Sequence, residues 1–258
     1  MPWKFVAVGF VAGILGGGLG VGGGIILVPL LIWVGMDRHR AHATSLAAII
    51  LIAVAGAVSF GYSEELRLDV GLSIGLGGVV GSILGANAMN RMSARSLTIV
   101  FGIVLLVAGL RMVSGAEPLP GAGDLSTAAL VAISIGIGVV AGFFAGMSGV
   151  GGGVVNVPAA VFFIGLAQHE AQGTSLVAIV LTAIAGTWAN FRNGRVVPVE
   201  GLITGIGGAG GSLLGSRVAL GANEDTLAFV FGVLILLVSL RTLYREMRPS
   251  QSASASSA

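Results

Sequence analysis

Cysteine is absent from the sequence, and charge and aromatic rings are scarce. Without thiols there is no disulfide framework, no zinc–cysteine site, no iron–sulfur cluster and no thiol nucleophile. Only 9% of the 258 residues are charged, against about 25% in soluble domains, so a water-facing globule could not be covered. The net charge of +2 gives no basic surface of the kind a nucleic-acid partner requires, and none is expected. His39, His42 and His169 lack the carboxylate or cysteine company of a metal site. Hydrophobic residues, by contrast, make up 55% of the chain, and 44 residues are glycine without a collagen period. That balance indicates an integral membrane protein whose partner is the lipid bilayer, built from helices.

A span needs about 20 apolar residues. Uncharged apolar runs cover roughly 5–36, 43–63, 70–90, 96–110, 125–168, 171–191, 201–216 and 226–240. Trp3, Trp33, Tyr62, Trp188 and Tyr244 lie near segment ends, where amphipathic rings favour the headgroup level; Trp188 reads equally as a cavity residue. Two runs are too long for one helix, and glycine interrupts both, at Gly16–Gly24 and Gly146–Gly153. Each interior glycine costs a helix up to about 1 kcal/mol relative to alanine, so both helices are expected to break within the membrane. Irregular backbone at that depth is tolerated where protein or a wet cavity surrounds it. Lys4 ahead of an apolar stretch resembles a signal peptide, but the same pattern recurs in mid-chain, which argues against cleavage.

The chain repeats itself. A shift of 129 residues aligns Gly20-Val21-Gly22-Gly23-Gly24 with Gly149-Val150-Gly151-Gly152-Gly153 and Pro29 with Pro158. A shift of 130 aligns Thr44-Ser45-Leu46 with Thr174-Ser175-Leu176, Gly77, Gly81 and Gly85 with Gly207, Gly211 and Gly215, and Arg111 with Arg241. The expected organisation is a first repeat over 1–113, a linker over 114–124, a second repeat over 125–248 and a disordered tail over 249–258, all in one transmembrane domain.

Loop charge orients the copies. If each broken segment folds back as a hairpin, the copies are inverted. Lys4, Arg38, Arg40, Arg91, Arg95, Arg192, Arg195, Arg241, Arg245 and Arg248 then share one side, against Arg67, Arg111 and Arg217 on the other. If each broken segment crosses once, the best division falls to eight against five. The positive-inside rule favours inversion with both termini cytoplasmic. The expected fold class is therefore an all-α membrane protein with two inverted-topology repeats, each a glycine-broken hairpin plus three transmembrane helices. Such repeats point to a secondary transporter with its site where they meet; duplication within a channel or structural protein is the alternative.

The glycine loops have a chemical reading. Successive backbone N–H groups can converge on an anion, and the half-helices that follow carry partial positive charge at their N-termini. The substrate-binding candidates are Gly20, Gly22, Gly23 and Gly24 in the first loop and Ser148, Gly149, Gly151, Gly152, Gly153 and Asn156 around the second. His42, Thr44 and Ser45 and the matching Gln172, Thr174 and Ser175 complete the set. Rival readings are glycine used only for close packing, hydroxyls used as N-caps, and His42 as a loop residue or a proton relay. Asn87 and Asn190 are weaker candidates. The spacing-four glycine stripes read as packing surfaces. Gly18–Gly23 matches a dinucleotide fingerprint but lacks its strand–helix–strand setting. Gly146–Gly149 resembles the serine motif of rhomboid proteases, yet the only later histidine, His169, falls in an expected loop beside Glu170.

The duplicated glycine loops followed by Pro29 and Pro158, the two Thr-Ser-Leu stretches and the basic Asn190–Val196 loop together resemble the sulfite exporter TauE/SafE family. The resemblance runs from Phe5 to about Tyr244. It implies export or exchange of sulfite, sulfoacetate or a related organosulfur anion across the bacterial cytoplasmic membrane by a non-enzymatic carrier. Gly61–Glu65 is acidic where the second copy is basic, so this region is not expected to bind anions symmetrically. An anion channel of the same architecture is the alternative, and an intramembrane enzyme using Ser148 the remote one. No cofactor is expected. No carboxylate lies deep in a span, so a coupling proton or sodium ion, or none, stays open. So do substrate, direction and a homodimeric state.

Overall fold

The computed structural model describes residues 2–88, 94–148 and 152–247. The expectations for Arg91, Gly149, Gly151, Arg248 and the 249–258 tail fall outside these residues. The described elements are α1 (Trp3–Gly18), α2 (Gly24–Trp33), α3 (Arg38–Tyr62), α4 (Leu68–Ala88), α5 (Ala94–Val113) and α6 (Thr127–Ser148). They continue with α7 (Gly153–Ala159), a π-helical turn (Ala160–Ile164), α8 (Gln168–Arg192), α9 (Pro198–Leu220) and α10 (Glu224–Met247). Five stretches are long and apolar enough to cross a bilayer: Arg38–Tyr62, Leu68–Gly85, Thr127–Ala145, Gln168–Arg192 and Glu224–Tyr244. The protein is an all-helical, multi-pass membrane protein.

Helix boundaries follow local chemistry. Asp37 caps α3, its carboxylate accepting from the N–H groups of His39 (3.0 Å) and Arg40 (3.4 Å). Pro198 opens α9, where its missing donor costs nothing. Both glycine-rich runs break. The first stops at Gly18 and restarts at Gly24; the second stops at Ser148 and restarts at Gly153. With ten residues, α2 covers about 15 Å at 1.5 Å per residue, half of the ~30 Å hydrocarbon core.

In a bilayer, lipid is as apolar as leucine, so helices associate through close packing rather than water exclusion. The glycine stripes supply that packing. Gly77, Gly81 and Gly85 of α4 leave their Cβ positions to the carbonyl oxygens of Ile135, Val139 and Phe143 of α6. Gly207, Gly211 and Gly215 of α9 do the same for Val6, Phe10 and Ile14 of α1. Backbone meets backbone, the geometry in which Cα–H groups face carbonyls. Buried hydroxyls add links: Ser212 donates to Ile52 O and Ser239 to Gly102 O, each at 2.8 Å.

These registers fix relative direction. Residue numbers rise together along α4 and α6 and along α1 and α9, so each pair runs in the same sense. Gly201 and Gly205 of α9 face Thr44 and Leu51 of α3, and Gly71 and Gly75 of α4 face Thr174 and Leu181 of α8; these pairs also run together. In contrast Gly186 meets Leu46 while Gly173 meets Phe60, so α3 and α8 run in opposite senses. The helix α5 likewise opposes α10, with Gly102 against Leu243 and Gly109 against Leu236. Since α1 and α3 share a direction, α2 must carry the chain back between them. Phe5, Val34–Asp37, Arg40, Val197 and Glu200 accordingly line one depression at a single end of the bundle.

Candidate functional site

The turn between α1 and α2 uses three glycines in the left-handed region: Gly20 (φ 70°), Gly22 (φ 72°) and Gly23 (φ 80°). A side chain would be strained at each. The N–H groups of Val21 (3.0 Å) and Gly22 (2.9 Å) donate to Gly16 O, and that of Gly20 donates to Gly17 O at 3.4 Å. The amides of Gly20 and Gly22 therefore tie the turn to α1 rather than pointing freely at a ligand. That departs from the loop-wide nest expected from composition. The positive end of α2 is different: its N-cap, Gly23, offers no side-chain acceptor to the first turn at Gly24.

This turn sits in the middle of the molecule. A Cβ on Gly22 would lie 2.9 Å from Ile179 Cγ2 and 3.3 Å from Ile49 Cγ2. Those residues are midway along α8 and α3, both of 25 residues. The start of α7 arrives at the same place. A Cβ on Gly153 would lie 2.7 Å from Val21 Cα and 2.8 Å from Ile179 Cδ1. Ser175 donates to Gly20 O at 2.8 Å, locking α8 to the turn.

Two amide side chains complete this centre. Gln172 has no exposure and lies against Gly20, whose Cβ would stand 2.7 Å from Gln172 Cα. Both its Oε1 and Nε2 lack hydrogen-bond partners among the described residues. Asn156, three residues into α7 from Gly153, is 3% exposed, and its Oδ1 also lacks a partner there. The Nδ2 of Asn156 stands 3.5 Å from the Cβ position of Gly152. Unpaired buried amide atoms cost roughly 1–3 kcal/mol each, so a polar solute that paired with them would be stabilised. The buried polar side chains described include no Lys, Arg, Asp or Glu; hydrogen-bond donors and helix ends, not full charges, set the field here.

The remaining candidates have other duties. Thr44 and Thr174 are not N-caps of their own helices, which begin at Arg38 and Gln168. Instead Thr44 Oγ1 accepts from Val197 N (3.1 Å) at the start of α9, and Thr174 Oγ1 accepts from Arg67 N (2.9 Å) ahead of α4. Ser45 donates to His42 O at 2.8 Å within α3. His42 is a half-buried helical residue, not a loop residue. The side chains of Ser148 and Asn87 lie outside the described residues. Trp188 is 65% exposed. Asn190 donates to Gly186 O at 2.8 Å in its own helix.

Sequence reasoning undervalued His169. It lies in the first turn of α8, buried, with Nε2 2.8 Å from Ala219 O and Nδ1 3.5 Å from Glu224 Oε1. No spacing links it to partners 50 or more residues away, so only the fold reveals the cluster.

The relatives bear transporter names. Proteins named "Probable membrane transporter protein" from two strains of Xylella fastidiosa are 29% and 30% identical, each alignment covering 93% of this chain and 92% of the relative. "Probable membrane transporter protein YunE" of Bacillus subtilis is 25% identical over 93% of this chain and 96% of its own. No solved structure matches. The profile described as Sulfite exporter TauE/SafE matches residues 1–131 and 133–258. With both halves matched and its relatives named as membrane transporters, the chain belongs to the sulfite exporter TauE/SafE family.

Proposed function

We propose that the protein is a secondary transporter of a small sulfur-containing anion, sulfite or an organosulfonate such as sulfoacetate, which it exports by alternating access. The observation that carries this reading is the mid-depth meeting of α2 and α7 beside the unpartnered amide of Gln172 and the unpartnered Oδ1 of Asn156. An anion there would take hydrogen bonds from the amide Nε2 and from the first turn of α2, whose dipole favours negative charge. It would cross without a buried lysine or arginine, so release would not require breaking a full ion pair. The family description, Sulfite exporter TauE/SafE, supports the substrate class.

The opposed senses of α3 and α8, and of α5 and α10, support two inverted-topology repeats. Loop charge then supports cytoplasmic termini in the inner membrane. The complete burial of Gln172 favours a gated carrier over an open anion pore. The test is uptake of labelled sulfite and sulfoacetate by proteoliposomes. Saturation and trans-stimulation are expected, with transport lost in Gln172→Leu; unsaturable flux, or full activity in that variant, would reject the site.

A further inference from the structure

A groove of about 610 Å³ runs along the outside of the bundle between α5, α6 and α7 with its π turn. Its walls are aliphatic and aromatic, and among the described residues Arg111 is the single charged side chain lining it. Ile103, Val107, Val140 and Phe163 edge the groove and are about half exposed. In a membrane-spanning chain, that edge opens sideways into hydrocarbon. The other face of α5 is covered by α10, through Leu243 at Gly102 and Leu236 at Gly109.

Arg111 closes one end of the groove, in the last turn of α5. One Nη donates to Glu117 O at 2.9 Å, and the guanidinium carbon stands 4.7 Å from the centroid of the Phe162 ring. These contacts fix the guanidinium, yet its Nε is buried and has no partner among the described residues. The 114–126 connection seals this end, with Leu119 N donating to Phe162 O at 3.0 Å. From Ile103 to Arg111 the groove follows α5 for about 12 Å at 1.5 Å per residue, the reach of a good part of an acyl chain.

We infer that this groove holds an anionic phospholipid of the surrounding bilayer, with an acyl chain along α5 and its phosphate at Arg111. Charge complementarity selects the headgroup: a planar guanidinium at the end of an otherwise apolar groove pairs with phosphate oxygens. The lateral mouth selects the source, because acyl chains are the medium it faces, whereas a water-soluble solute would have to enter through hydrocarbon.

The test uses the purified full chain, stripped of lipid in mild detergent and titrated with dioleoyl phosphatidylglycerol or dioleoyl phosphatidylcholine. Retained lipid is counted by native mass spectrometry. Both lipids carry the phosphate, but the choline cation of phosphatidylcholine opposes the guanidinium, so wild type is expected to retain phosphatidylglycerol about tenfold better. Arg111→Gln should erase the preference and Arg111→Lys should restore part of it. Gly136 lines the groove and has open space where a side chain would go, so Gly136→Leu should fold normally and retain less of both lipids. An unchanged preference in Arg111→Gln, undiminished retention in Gly136→Leu, or displacement of both lipids by soluble octanesulfonate at low concentration would overturn the inference.

Discussion

Thr44 and Thr174 play the same part in opposite halves: each hydroxyl oxygen accepts the backbone N–H at the start of a helix from the other half, Val197 at 3.1 Å and Arg67 at 2.9 Å. Both threonines are fully buried. They are clamps between halves rather than free ligands for a solute.

Removing a clamp leaves a part-buried N–H without its acceptor. Thr44→Val and Thr174→Val should each destabilise the protein by about 1–3 kcal/mol, whereas Ser at either position keeps the acceptor. Thermal unfolding in detergent measures this; equal melting temperatures for Val and Ser variants would show that the oxygens carry no load.

Adjacent glycines of α9 should respond with opposite signs. Gly211 faces Phe10 O with no room for a methyl group, while Gly210 has only Phe10 Cδ2 at 4.0 Å. Gly210→Ala should stabilise by roughly 0.5–1 kcal/mol through helix propensity. Gly211→Ala should force α1 away and lower the melting temperature. Two shifts of the same sign would contradict the packing.

Gln172 should show stability and activity in conflict. Replacing a buried, unpaired amide with Leu relieves its desolvation cost, so Gln172→Leu should melt no lower than wild type. Its sulfite flux should nevertheless fall at least about tenfold, the loss expected for one hydrogen bond to an anion. Lower stability together with normal flux would reverse the assignment.

His169 should act as a joint between α8, α9 and α10. Its Nε2 can satisfy Ala219 O only as a donor, which leaves Nδ1 toward Glu224. The Ala219 carbonyl keeps its bond from Ala222 N at 2.9 Å, so His169→Ala should cost about 0.5–1.5 kcal/mol for one lost hydrogen bond, and hydrogen exchange should rise at the end of α9. Unaltered exchange there would sink the joint.

The glycine stripes were legible in the sequence because a spacing of four keeps one helix face small, and the structure puts a carbonyl at each stripe position. The breaks between Gly18 and Gly24 and between Ser148 and Gly153 were legible because each further glycine weakens a helix. Hidden from the sequence was which amides stay free. Composition placed donors at Gly20 and Gly22, but local turn geometry spends them on Gly16 and Gly17. The duty of Thr44 was equally hidden, since its partner lies 153 residues away. Gln172 was legible only through its place beside Thr174; its isolation is a property of packing.

The π turn at Ala160–Ile164 follows Pro158, whereas α2 continues past Pro29 as regular helix to Trp33. One half thus carries a wider coil than its twin. Exact exchange of shapes is denied to such a pair, so the inward-open and outward-open conformers of the proposed carrier would differ in energy. The molecule would rest facing one compartment even with no gradient across it.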